Sequence, residues 1–225
     1  MKRYTPNMME EVVQKASTLT QAIKNVRIAD CAEVLSGFSA KGAIVDEPGG
    51  TLQVITAQHL TKGEPYRYKE EHRIRIVSPR SIEKYLLEPG DILFMSRGAN
   101  NYAVLLEDIP RPAIAPLTFF IIKPERSIIN PAYLTWCLDQ EPVKVKLNEI
   151  RTGAGSPMLP RREFAEIIIP LPVMVVQQQI ADLAHLQMRE RVLLQRLFEE
   201  AERLQRLTGK QLLAHLTRKK QGVNS

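Results

Sequence analysis

Arg97-Gly-Ala-Asn-Asn-Tyr102 sets an arginine, two carboxamides and an aromatic ring within one short stretch. A guanidinium can fork onto the guanine edge, a carboxamide onto adenine, and a tyrosine ring can pack on a sugar or base. Arg97, Asn100, Asn101 and Tyr102 are therefore candidates for reading bases. A second stretch interleaves basic, amide and aromatic side chains: Gln58, His59, Lys62, Tyr66, Arg67, Tyr68 and Lys69. That mixture suits a nucleic-acid surface, and equally a hairpin tip whose long side chains lie over apolar neighbours. The third runs from Arg151 to Arg162. Gly153, Gly155 and Ser156 let a backbone approach phosphate closely, while Arg151, Arg161 and Arg162 bring charge. Phosphate contacts would set affinity and its salt dependence; the other two stretches would set sequence preference.

Catalytic constellations are much weaker. Asn130-Pro-Ala-Tyr133 nearly spells the Asn-Pro-Pro-Tyr element with which adenine-amino methyltransferases hold a flipped base. Its second proline is missing, and no glycine-rich cofactor loop follows an upstream strand. A capped helix start explains it better. No Asp/Glu-x-Lys triplet of the kind many restriction nucleases use occurs in the sequence. His59, His72, His185 and His215 lack metal-ligand spacing, and neither Ser36 nor Ser156 sits in a Gly-x-Ser-x-Gly elbow. Cys31 and Cys137 are too few for a disulfide framework or a zinc site. The expectation is a binding protein, not an enzyme, with no metal and no cofactor of its own.

The elements that must position these residues follow from patterning. The 44% hydrophobic content supports a real core. Residues 7–25 carry Met8, Met9, Val12, Val13, Ala16, Leu19 and Ile23 at helical spacing, after a capping pattern of Asn7 and Glu10. Val26–Asp30, Leu52–Thr56, the stretch to Met95 after the Pro89-Gly90 turn, Ala103–Leu106, Leu117–Ile122 and Ile167–Ile169 read as strands. Residues 61–72 read as a loop. A helix is expected over Pro131–Asp139, with Asn130 as cap and Pro131 at its first position. Pro170 and Pro172 end the last strand. The expected fold is α/β: a mixed α+β domain over residues 1–172, then a helical region over 173–225.

From about Val175 to Arg218 the pattern is helical, and its only interior glycine is Gly209. One heptad line runs through Leu183, Glu190, Leu197, Leu204 and Gln211; the other through Leu186, Leu193, Glu200, Leu207 and Ala214. A helix of about 40 residues is about 60 Å long. That exceeds the width of the domain before it, so its stripe of Leu183, Leu186, Leu193, Leu197, Leu204 and Leu207 calls for another helix. The net charge is +6 with pI near 9.4. Residues 173–225 supply most of that excess, and the main body stands near +2, so any nucleic-acid site there is a local patch. No signal-peptide pattern or membrane-spanning run occurs, which predicts a soluble, cytoplasmic protein with no membrane partner.

Three stretches taken in series resemble the specificity subunit of type I restriction–modification systems. They are Val26-Arg-Ile-Ala-Asp-Cys-Ala-Glu-Val-Leu-Ser-Gly37, Leu87-Glu-Pro-Gly-Asp-Ile-Leu-Phe-Met-Ser-Arg-Gly98, and Gly153-Ala-Gly-Ser-Pro-Met-Leu159 continuing through Ile169-Pro-Leu-Pro172 to Gln177-Gln-Gln-Ile-Ala181. The resemblance covers residues 26 to 215. It implies a target recognition domain that reads one half of a split site in double-stranded DNA. It also implies a helical spacer of antiparallel, coiled-coil-like form that docks methyltransferase subunits. The full subunit of such families carries two of each, so the resemblance implies a half-subunit that pairs as a homodimer. The methylase would bring S-adenosylmethionine, and a motor–nuclease subunit would bring ATP and Mg²⁺. The weak main-body charge favours a second reading, a non-catalytic adaptor with a remodelled recognition fold that scaffolds defence-system proteins through its helix.

Overall fold

The structure, a computed structural model, describes residues 23–221 except 41, 79–80, 154 and 156. It divides into two units, Met1–Asp182 and Leu183–Ser225. The strands are β1 (Lys24–Arg27), β2 (Ala32–Ser36), β3 (Leu52–Val54), β4 (Tyr66–Arg67), β5 (Arg75–Ile76), β6 (Ile92–Met95), β7 (Ala103–Asp108), β8 (Ala113–Ile114), β9 (Phe119–Pro124) and β10 (Ile168–Leu171). The helices are α1 (Pro131–Leu138), α2 (Glu141–Ile150), α3 (Arg161–Ala165) and α4 (Met174–Gln221). This is the mixed α+β domain with a long C-terminal helix that patterning predicts.

A five-stranded sheet in the order β2-β9-β6-β7-β4 carries the domain. All its pairs are antiparallel except β4 with β7. Side chains alternate across a strand, and here both faces are buried, so the central strands read as continuous apolar runs. Ile92, Phe94, Phe120 and Ile122 point into a core shared with Tyr133, Leu134, Val143, Leu147 and Phe164 of the three short helices. Leu93, Val104, Leu106, Phe119 and Ile121 point into the opposite core with Ile55, Tyr66 and Leu87. A smaller sheet, β5-β3-β8, closes over a third cluster of Leu52, Val54, Ile76, Ile82 and Ile114.

β1 and β10 form a separate antiparallel ribbon, with Lys24 opposite Leu171 and Arg27 opposite Ile168. It joins the start of the described chain to the strand that leads into α4. The Ile28 N–H continues the ribbon by donating to the Ile167 carbonyl at 3.0 Å.

Several boundaries differ from expectation. Residues 24 and 25, placed at the end of an N-terminal helix by patterning, lie in β1, because their backbone pairs with Leu171 and Pro170; residues 7–22 of that expected helix lie outside the described residues. Ile28–Asp30 leaves the strand and forms a 3-10 turn. Pro170 sits within β10 instead of ending it, which a two-stranded ribbon tolerates because one edge needs no N–H donor. The expected 61–72 loop holds β4 and a 3-10 turn over Glu70–His72.

α1 starts as predicted. Asn130 Oδ1 accepts from the Ala132 and Tyr133 N–H groups at 2.8 and 3.2 Å. Its own N–H donates to Gln177 Oε1 at 2.8 Å, and Gln177 is buried, with Nε2 donating to the Pro172 carbonyl at 2.8 Å. The first turns of α4 are thus pinned to α1 by a buried amide. Tyr133 is buried and its hydroxyl donates to the Pro170 carbonyl at 2.7 Å. Burial pushes that phenol well above its ordinary range, so Asn130 and Tyr133 serve as cap and core. Among the described residues no helix is long and apolar enough to cross a membrane.

Candidate nucleic-acid interface

β6 runs out at Met95 and the chain re-enters the sheet at Ala103, so Ser96–Tyr102 is the hairpin turn between two central strands. The Met95 N–H closes it by donating to the Tyr102 carbonyl at 2.9 Å. Gly98 adopts φ +86, a left-handed conformation that favours glycine. Arg97 and Asn100 project outward and are exposed. Among the described residues Arg97 makes no side-chain hydrogen bond or ion pair.

The turn is laced to the segment after α2. The Gly98 N–H donates to the Pro157 carbonyl at 2.8 Å, and the Leu159 N–H donates to the Ser96 carbonyl at 3.0 Å. Thr152 and Met158 exchange backbone bonds at 3.0 and 2.9 Å, which makes 152–158 a small loop of its own. Gly153 stands at φ +88 and is exposed; Gly155 opens onto free space. Ser156 lies outside the described residues. Two of the three candidate stretches, about fifty positions apart in the chain, therefore form one surface.

Individual side chains sort differently from their types. Asn101 is buried: its Nδ2 donates to the Met95 carbonyl at 2.7 Å and its Oδ1 accepts from Arg151 Nη2 at 2.6 Å. Both ends of the carboxamide are engaged and the side chain is buried, so it holds the turn and does not present itself to a base edge. Tyr102 is half-buried against the second core, and burial raises its phenol above the ordinary range. Arg161 donates from Nη1 to the Val34 carbonyl at 2.8 Å, which ties α3 to the edge strand β2. Arg162 is exposed and, among the described residues, makes no side-chain hydrogen bond or ion pair.

The 58–69 stretch divides. Tyr66 pairs opposite Leu106 and Arg67 opposite Asp108, so β4 lies along the end of β7 away from the 96–102 turn. Lys62 and Gln58 are exposed. Arg67 pairs with Glu107 at 2.7 Å, and Lys69 with Glu71 at 3.5 Å. Tyr68 donates from its hydroxyl to Glu70 Oε2 at 3.1 Å. Burial is the first cause that raises the Tyr68 phenol, with the Glu70 bond second.

His59 and Tyr66 belong to the interior. The His72 ring is sandwiched between them, with ring centroids 5.1 Å from His59 and 5.5 Å from Tyr66. His59 Nδ1 accepts from the Thr56 N–H at 3.2 Å. Burial, then the neighbouring His72, lowers the His59 pKa; burial raises that of Tyr66. Both residues support the loop from beneath and do not reach a ligand outside it.

Sequence reasoning missed that Ser36, Ser96 and Thr118 share this end of the sheet. Ser96 Oγ donates to the Thr118 carbonyl at 3.0 Å, and Ser36 pairs opposite Phe120 at the start of β9. The signal was available only through strand order: Thr118 directly precedes the strand that pairs with β6. Among the described residues no cluster of His, Cys, Asp and Glu is placed to hold a metal ion.

In α4 beyond residue 182, Leu183, Leu186, Leu193, Leu197, Leu204 and Leu207 are 48–67% exposed. Leu194, Phe198, Leu212 and Leu213 are similarly exposed. At about 100° per residue these ten side chains cover an arc of about 240°. That is wider than the narrow stripe of a two-stranded seam.

Residues 21–185 match the family model described as the type I restriction modification DNA specificity domain. Among solved structures, the chain is similar to the HsdS subunit from Thermoanaerobacter tengcongensis, with a TM-score of 0.54 and 15% identity over 82% of this chain and 44% of that one. It is also similar to a chain from a structure described as showing complex assembly and conformational transition of the type I R-M system. That match has a TM-score of 0.61 and 16% identity over 87% of this chain and 50% of the other. The chain thus spans half or less of the length of these relatives. Among curated proteins none matches.

Proposed function

The chain belongs to the type I restriction modification DNA specificity domain family, and from that membership we propose that it reads one half of a bipartite site in double-stranded DNA. The observation that supports this reading most directly is the lacing of the 96–102 turn to the 152–159 loop at one end of the central sheet. It gives a rigid platform on which Arg97 and Asn100 reach base edges. Gly153 and Gly155 allow the backbone close to phosphate, and Arg162 supplies unpaired charge at the margin. The part of this chain is binding. Methyl transfer, with S-adenosylmethionine, and motor–nuclease action, with ATP and Mg²⁺, fall to other subunits of the system.

The long helix supplies assembly. Ten exposed apolar side chains across about two-thirds of its circumference favour two neighbouring helices over one. We assign one neighbour to a second copy of this chain and the other to a methyltransferase subunit. A two-fold pair of recognition domains would favour an interrupted palindrome, because symmetric protein reads symmetric DNA.

The test is selection of duplexes from a random pool by the full chain with its methyltransferase. The expected result is enrichment of two short half-sites at fixed separation. Equal affinity for the enriched duplex and a scrambled one would sink the proposal.

One set of observations favours the adaptor reading: Arg67 and Lys69 are engaged by carboxylates, which removes two cations from an already weak patch. A salt titration of duplex binding separates the two, since a DNA reader shows a steep dependence and an adaptor does not.

A further inference from the structure

We propose that Arg151 is a positioning residue that sets the shape of the reading turn, and that it makes no phosphate contact. The inference rests on the assignment of this surface to DNA. The two backbone bonds that lace the loops fix Ser96 and Gly98, and the Met95–Tyr102 bond fixes the base of the turn. Between those anchors, Ala99–Asn101 is held through Arg151. Its Nη2 donates to Asn101 Oδ1 at 2.6 Å and to the Ala99 carbonyl at 3.3 Å. Asn101 passes the constraint on, because its Nδ2 donates to the Met95 carbonyl at the end of β6.

The same geometry turns the guanidinium away from a phosphate. A guanidinium grips an anion with two neighbouring N–H groups in parallel. Both such pairs include Nη2, which is engaged, or Nε, which is buried and has no partner in the structure. The charge therefore stays beneath the turn with only neutral oxygens against it, while Arg97 and Asn100 ride on the backbone it fixes. This moves Arg151 out of the phosphate-binding set that its type and its glycine-rich neighbourhood suggest.

The experiment compares the full chain with Arg151→Ala, Arg151→Lys, Asn101→Ala and the Arg151→Ala/Asn101→Ala pair. Base preference is read by sequencing duplexes selected from a random pool. Affinity for one fixed duplex of unrelated sequence is read against salt. Lysine keeps the charge and most of the stem but lacks the planar fork, so it separates charge from geometry. Both Arg151 variants should lose about tenfold in preference at the positions read by the turn, with an unchanged salt slope. Asn101→Ala should match them, and the pair should lose no more than either alone. A phosphate contact gives the opposite result: Arg151→Ala lowers the salt slope by about one, lysine restores it, and base preference is untouched. That result overturns the inference, as does wild-type preference in every variant. Absence of any base preference in the wild-type chain overturns the DNA reading itself.

Discussion

Replacing Leu197 by Asp should separate the assembly from the fold. Leu197 is 67% exposed within its own chain, so the substitution removes little intramolecular packing. Its effect on the stability of the recognition domain should stay within about 0.5 kcal/mol, as for other surface changes. In a helix pair the exposed two-thirds of the side chain would be buried. Full burial of a leucine is worth about 2 kcal/mol, so that fraction is about 1.3 kcal/mol per copy. A two-fold pair contains the residue twice, which gives about 3 kcal/mol, or somewhat over a hundredfold in dissociation constant. An unpaired carboxylate facing apolar neighbours adds to the loss. Sedimentation equilibrium over a wide concentration range measures this directly, with Lys210→Asp, on the exposed face opposite the apolar arc, as control. The control should leave self-association unchanged while Leu197→Asp shifts it by two orders of magnitude or more. A wild-type chain that is monomeric throughout, or a Leu197→Asp chain that associates like wild type, refutes the reasoning.

Arg97→Ala should relax base preference at one position by about 1–3 kcal/mol and change affinity for unrelated duplex little; competition between enriched and mutated duplexes measures it. Arg162→Ala should weaken binding to every sequence and lower the salt slope by about one, whereas Arg161→Ala should leave the slope unchanged. Arg161→Ala instead loses its bond to the Val34 carbonyl, at about 1–2 kcal/mol of folding stability by denaturant titration. Burial and His72 hold the His59 pKa below its ordinary 6.5, so the unfolded chain takes up that proton first as pH falls. The stability contributed by neutral His59 is complete above about pH 6.5 and is lost as pH falls through and below it. Thermal midpoints measured against pH should show this decline in the wild type and a shallower one in His59→Gln.

Long-run patterning carried most of the fold. β6, β7 and β9 were legible because two-sided burial demands unbroken apolar runs, and turn residues bound them. α1 was legible from Asn130 and Pro131. α2 was not: Val143-Lys-Val-Lys146 alternates like a strand, and only Val143 and Leu147 mark the helical face. The two-residue strands β4, β5 and β8 are too short to leave a period.

The candidate interface was legible in outline and misleading in detail. Residue type located the 97–102 and 151–162 stretches but could not tell Asn100 from Asn101, adjacent asparagines of which one is exposed and one buried. That difference arises from where β6 ends and from an arginine fifty positions away, and no local pattern encodes it. His59 and His72 looked scattered because their contact is made only when Tyr66 pairs beside β7.

The β1–β10 ribbon makes the recognition body a cassette. Everything between Ile28 and Ile167 departs and returns through two adjacent strands in fixed register, so the points of departure and return stay one strand spacing apart whatever lies between them. A different interior could be transplanted between those strands without shifting the helix that follows, provided it keeps the Asn130 position that Gln177 pins to the start of α4. Closely spaced ends of this kind are what circular permutation and domain insertion require. A change of target sequence would then need no change in the parts that assemble.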